Sequence, residues 1–136
     1  MSFQANPELH WLTLIVFATA LMWLPHILQL TTQEGLVQAV RDPARETAHK
    51  ALWAQRARRA HANAIENLVI FAPLVILIVL TDKGSEQTVL ASMVFFIARI
   101  GHFLAYALAI PYARVILFFV GWACQMFLAA ALFGWM

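Results

Sequence analysis

With 136 residues, 62% of them apolar and only 12% charged, the chain has about half the charged fraction of an ordinary soluble domain, and water is excluded as its main solvent. The net charge of +2 rests on nine Lys and Arg, six of them between Arg41 and Arg59; such a local basic segment suits anionic lipid headgroups and, lacking interleaved aromatics, excludes a nucleic-acid surface. The single Cys124, set in an apolar run, excludes an intrachain disulfide and a cysteine-based zinc motif.

Trp11 to Leu30 carries no formal charge and has the length of a helix that crosses roughly 30 Å of hydrocarbon. Pro25 and His26 interrupt it, so a kinked first span is expected. Met1 to His10 has no Lys or Arg and the apolar run continues past Ala18-Thr19-Ala20, a pattern that argues for a retained span over a cleaved signal peptide. Thr31 to Ala60 is polar. Within it Asp42-Pro43 reads as an N-cap followed by proline at the first helical position. Ala44 to Ala62, rich in Ala, Arg, Glu and Gln with no Gly or Pro, then lets the second helix run from water straight into the bilayer. Its span covers about Asn63 to Leu80. Thr81 to Glu86 is a short turn, Gln87 to Ala109 a third span and Ala113 to Trp135 a fourth, with Pro111 marking the tight connection between the last two. The expected fold is an all-α membrane protein, one four-helix transmembrane domain whose second helix extends into the cytoplasm.

Orientation follows from the positive charges. The first and third connections share one side of an even-numbered bundle and hold seven Lys and Arg with Arg114 included, against Lys83 alone on the other side. This distribution places the long loop, Pro111 and Arg114 in the cytoplasm, with both termini outside and Trp11 and Trp135 as aromatic anchors at the outer interface.

Several residues in these spans oppose their setting. Glu66 lies one turn inside the second span, and Arg99 and His102 lie near the middle of the third; a charge at the bilayer centre costs on the order of 3 kcal/mol or more. Helical spacing puts Arg59, Asn63 and Glu66 on one face and Arg99, His102 and Tyr106 on another. Antiparallel neighbours joined by a short turn bring the two stripes to similar depth, so a Glu66–Arg99 pair inside the bundle is expected. Such a pair serves either as a structural tie, with Asn63 and His102 adding interhelical hydrogen bonds, or as part of a functional site. Arg114, at a helix start where a cation opposes the macrodipole, is either a positive-inside flank or a ligand. Arg56, Arg58 and Arg59 read as a solvated face. His10, His26, His49 and His61 lack the spacing with carboxylates that a metalloprotease helix needs, and no metal site is expected.

The run Arg59-Ala60-His61-Ala62-Asn63-Ala64-Ile65-Glu66-Asn67, followed by Phe71-Ala72-Pro73-Leu74, resembles the signature of the membrane-associated proteins in eicosanoid and glutathione metabolism, the MAPEG family. Ala98-Arg99-Ile100-Gly101-His102, Ala105-Tyr106 and Pro111-Tyr112-Ala113-Arg114 resemble its second block. The resemblance implies a homotrimer in a membrane, here expected to be a bacterial inner membrane, with glutathione as co-substrate bound between subunits on the cytoplasmic side. Carried over residue by residue, it implies that Asn63, Glu66, Arg99, His102 and Tyr106 bind glutathione. Glu66 would take the amine, Asn63 and Tyr106 the peptide backbone, and Arg99 would balance Glu66 or bind a carboxylate. Arg114 would be catalytic, stabilising the thiolate. The chain departs from the family at Ala62, where glutathione-binding members have an arginine. Its spacing from Arg99 to Arg114 is one residue shorter than in one branch, and His26 and Gln29 stand where that first span ends without an arginine.

The activity so implied is that of a membrane-bound glutathione transferase or peroxidase acting on hydrophobic small molecules or lipid hydroperoxides. Ala62 speaks for an alternative, a non-catalytic scaffold or lipid-binding protein on the same fold. A small transporter or proton relay using Glu66, Arg99 and His102 is disfavoured by the lack of broken helices and repeats.

Overall fold

The computed structural model describes residues 6–41 and 48–135. Its helices are α1 (Pro7–Leu21), α2 (Leu24–Glu34), α3 (Leu36–Arg41), α4 (Leu52–Leu80), α5 (Glu86–Ala107) and α6 (Pro111–Phe133), with no strand among the described residues. Four stretches are long and apolar enough to cross a membrane: Pro7–Glu34, Leu52–Leu80, Glu86–Ala107 and Pro111–Phe133. The all-helical four-span architecture expected from hydropathy is the one observed.

The first of these stretches is broken between Leu21 and Leu24. Pro25 has no amide hydrogen to return to the carbonyl one turn earlier, so the ladder lapses there, and Met22 closes α1 by bonding Ala18 and Thr19 carbonyls. The helix that enters the membrane next starts later than its composition suggests. Asp42 and Pro43 lie outside the described residues, but residues 48–51 are non-helical and α4 begins at Leu52. Polar side chains of α2 and of α4 itself claim the backbone that a longer helix would need. Gln33 donates to the Ala48 carbonyl and accepts from the Lys50 amide at 2.7 Å, and Gln55 donates to the His49 carbonyl at 2.7 Å, a competition that polar side chains win at helix starts. Even so, 29 residues rise through about 43 Å, more than the hydrocarbon thickness.

At the opposite end, Asp82 takes a positive φ in the turn after α4. Ser85 then caps α5 in a reciprocal capping box with Thr88, which satisfies two amides that the first turn leaves without partners. The Thr88 hydroxyl also donates to the Glu8 carboxylate at 2.6 Å, tying the start of α1 to the start of α5. The third span ends at Ala107, and Ala109, with φ of 60°, makes the corner before Pro111 opens α6.

Around α5 pack α1, α4 and α6. At the end of the bundle where α4 gives way to α5 they share an apolar core in which the Phe71 and Phe95 rings stack with centroids 3.7 Å apart, flanked by Leu12, Ile15, Val75, Ile78 and Leu128. On the N-terminal half of α4 the buried row is Ala54, Ala57, Ala60 and Ala64. Small side chains let helices approach closely where lipid supplies no hydrophobic drive, and this row fixes the rotation of α4 about its axis.

Candidate functional site

That rotation decides which polar residues meet. The buried face of α4 runs through Ala60, Ala64, Asn67 and Phe71; Asn63 lies at its edge, and Glu66 is about 130° around the helix from its centre. Glu66 is accordingly exposed. The expected Glu66–Arg99 pair does not form within the chain, and the only salt bridge among the described residues joins Lys50 to Glu34 at 3.6 Å. The stripe Arg59-Asn63-Glu66 exists on the helix, but packing turns its acidic end outward.

Arg99 is 2% exposed and finds neutral partners instead. One terminal nitrogen donates to Asn63 Oδ1 at 3.4 Å, and the other to the Leu117 and Phe118 carbonyls of α6, each at 3.2 Å. A helical carbonyl keeps a second lone pair after accepting its own helix bond, so both serve without unwinding α6. The Phe95 and Phe118 rings lie 5.7 and 5.5 Å from the guanidinium carbon, close enough for cation–π attraction. Arg99 Nε is buried with no hydrogen-bond partner. The group reaches the α6 backbone because residue 121 is glycine: a Cβ there would stand 2.7 Å from Nη2 and 2.8 Å from Nε.

Beyond Arg99 toward the turn between α5 and α6, a cleft of about 290 Å³ opens between α4, α5 and α6, with Asn63, His102, Tyr106, Arg114, Val115, Phe118 and Phe119 on its walls. The Arg114 guanidinium carbon lies 5.3 Å from the centre of the Tyr106 ring. His102 is buried, its ring centre 5.7 Å from that of Tyr106 and 6.1 Å from that of Phe118. The end of α5 beside the cleft is held by Arg56, whose Nε donates to the Ala107 carbonyl at 2.9 Å; a cation at that position also complements the helix dipole. Arg56 is therefore a structural tie as well as part of a polar surface.

Four of the six residues singled out from the sequence thus line one cleft, Arg99 lies behind its wall, and Glu66 faces away from the chain. The sequence reading missed Gly121, Asn67 and Gln125. Asn67 Nδ2 donates to the Asn63 carbonyl at 2.9 Å, and Gln125 Nε2 donates to the Asn67 carbonyl at 2.9 Å, which links α6 to the α4 wall of the site. The signal was a glycine and a glutamine four residues apart in an otherwise apolar span.

A second hollow, about 390 Å³, lies on the other side of α4 between Ala48, His49, Gln55, Arg58, Arg59 and Ala62, so the small residue at 62 borders open space beside two guanidinium groups. Nearby, the His26 ring centre is 5.6 Å from that of His49 and 5.9 Å from that of His61, and His49 Nδ1 is 2.7 Å from Gln29 Oε1. Among the described residues no group of His, Cys, Asp or Glu is arranged to hold a metal ion.

The model of the MAPEG family matches residues 9–134. Microsomal glutathione S-transferase 1 of Bos taurus and that of Homo sapiens are each 34% identical to this chain over 76 residues, which is 55% of the chain and 49% of each relative. The matched region thus spans about half the length of these relatives. No solved structure matches.

Proposed function

The chain belongs to the MAPEG family and is a multi-pass integral membrane protein, and from that premise we propose that it is a membrane-bound glutathione transferase or peroxidase whose site opens on the cytoplasmic side. The observation that carries this reading is the convergence of Asn63, His102, Tyr106 and Arg114, from three helices, on one cleft. The similarity to proteins named microsomal glutathione S-transferase 1 supports it.

The chemistry follows from the donors present. The Arg114 guanidinium offers only donors; beside a thiol, whose unassisted pKa is near 8.5, a guanidinium favours the thiolate. Tyr106, under the Arg114 side chain, adds a hydroxyl. The thiolate sulfur then bonds the electrophilic carbon of a hydrophobic substrate arriving from the lipid, and the leaving group departs with the electron pair. In the peroxidase form the thiolate sulfur bonds the terminal hydroperoxide oxygen as the O–O bond breaks, and the alkoxide leaves and takes a proton to become the alcohol. A second glutathione thiolate then attacks the sulfenic sulfur, giving glutathione disulfide and expelling the oxygen as water.

Two features support a trimer in which the site is completed by a neighbour. The cleft, at about 290 Å³, is at the lower limit of small-molecule sites and accommodates part of a tripeptide. Glu66, exposed within an apolar span, would face lipid in a lone chain, an expensive placement for a carboxylate, whereas against a second copy it can meet a cation or the glutathione amine. Ala62 favours a second reading, a lipid-binding protein that keeps the fold without catalysis, because a carboxylate clamp is missing there.

Calorimetric titration of the detergent-purified protein with glutathione, together with a conjugation assay on a model electrophile, tests the proposal. Binding at millimolar concentration or tighter is expected, with conjugation falling about a hundredfold in Arg114→Ala, the scale of losing one electrostatic stabiliser of the reacting group. A well-folded protein that binds no glutathione would leave the second reading standing.

A further inference from the structure

We infer that Gly121 and Arg99 are positioning residues: they hold the Asn63 carboxamide with its NH2 turned into the cleft, so that this wall selects an acceptor oxygen, a ligand carboxylate or peptide carbonyl. The inference rests on the glutathione reading for the identity of the ligand, and on the geometry alone for the orientation.

A carboxamide presents an acceptor at one end and two donors at the other in nearly the same shape. Which end faces a cleft therefore decides what the cleft binds. At Asn63 the choice is fixed by two neighbours. Arg99 has no acceptor to offer, so the Asn63 atom facing its Nη1 at 3.4 Å is oxygen. Asn67 Nδ2, itself oriented by its 2.9 Å bond to the Asn63 carbonyl, lies 3.4 Å from the same oxygen. With Oδ1 turned to these two donors, the Asn63 NH2 is left for the cleft that Asn63 lines with His102, Tyr106 and Arg114. Together with the Arg114 guanidinium, it makes that wall rich in donors.

Arg99 can act this way because it cannot move. Its far nitrogen is held by the Leu117 and Phe118 carbonyls, and its plane is flanked by Phe95 and Phe118. Gly121 supplies the room, since a Cβ at 121 would come within 3.0 Å of three guanidinium atoms. A lysine at 99 has no fork with which to serve α6 and Asn63 together. Neither Arg99 nor Gly121 lines the cleft, so both act on a ligand through Asn63.

The orientation is testable without any ligand. The chain has three asparagines, so 15N-asparagine labelling gives three side-chain NH2 pairs, and Asn63→Asp identifies that of Asn63 by its loss. In Gly121→Ala and in Arg99→Met the Asn63 pair is expected to shift while that of Asn6 stays. An unmoved Asn63 pair overturns the inference. Where Gly121→Ala unfolds the protein, the double variant Gly121→Ala/Arg99→Met should refold, because the added methyl then meets no guanidinium; continued unfolding would show that the glycine serves something other than Arg99. In the conjugation assay Gly121→Ala should raise KM for glutathione about tenfold with kcat little changed, the effect of losing one hydrogen bond to a charged group. A fall in kcat at constant KM would contradict a positioning role in binding. If the parent binds no glutathione while the NH2 pair shifts as expected, the glutathione reading fails and the positioning of Asn63 stands.

Discussion

The half of the bundle around Phe71 and Phe95 and the half around Arg99 solve the same problem, holding helices together in lipid, by different means. In the first, Phe71 stacks on Phe95 within a ring of aliphatic side chains, and Glu8, the one buried carboxylate among the described residues, accepts a hydrogen bond at the capped start of α5. In the second, a row of alanines brings the helices close, a buried guanidinium bonds carbonyl oxygens with no salt bridge among the described residues, and a cleft opens beside it. The two halves thus differ in what closes their cores: one packs aromatic and aliphatic side chains, and the other buries a guanidinium beside the cleft of Asn63, His102, Tyr106 and Arg114.

Three substitutions break or sharpen that contrast. Phe95→Ala removes a fully buried ring from the aromatic core and should cost about 4 kcal/mol, the scale of a Phe-to-Ala cavity, seen as a large drop in thermal midpoint in detergent. Glu8→Gln keeps an acceptor for Thr88 but removes the negative charge from the N-terminus of α5, and a loss of about 1 kcal/mol is expected by the same measurement. Arg99→Met should change stability least, within about 1 kcal/mol, because a buried charge is replaced by an apolar chain of similar length and Asn63 Oδ1 retains Asn67 as donor. Its expected signature is weaker glutathione binding in a protein that melts normally. Melting as low as that of Phe95→Ala would show that the half around Arg99 depends on its charge for stability, and the contrast would fail.

Legibility in the sequence followed the same division. Asn63, His102, Tyr106 and Arg114 were found by spacing and by their resemblance to a known pattern, and they do line one cleft. Glu66 was matched to Arg99 because both are ionised and similar in depth, two facts available without knowing how α4 is rotated. A turn of the helix about its axis leaves depth unchanged and reverses who faces whom. Gly121 escaped notice for a related reason: a glycine in an apolar span has no chemistry of its own, and its use appears only when the Arg99 guanidinium is found where its side chain would be. The late start of α4 was hidden as well, since Gln33, which competes for the backbone of Ala48 and Lys50, belongs to α2.

By itself the sequence determined that the chain is helical, that four stretches suit a bilayer, and which residues in them bear polar groups, because hydropathy and turn signals are properties of neighbours along the chain. The partners of those polar groups were decided by the tertiary structure. Helix rotation is set by the fit of small against large side chains across interfaces, and a carbonyl of α6 becomes the partner of a buried cation only once a missing Cβ lets the two approach.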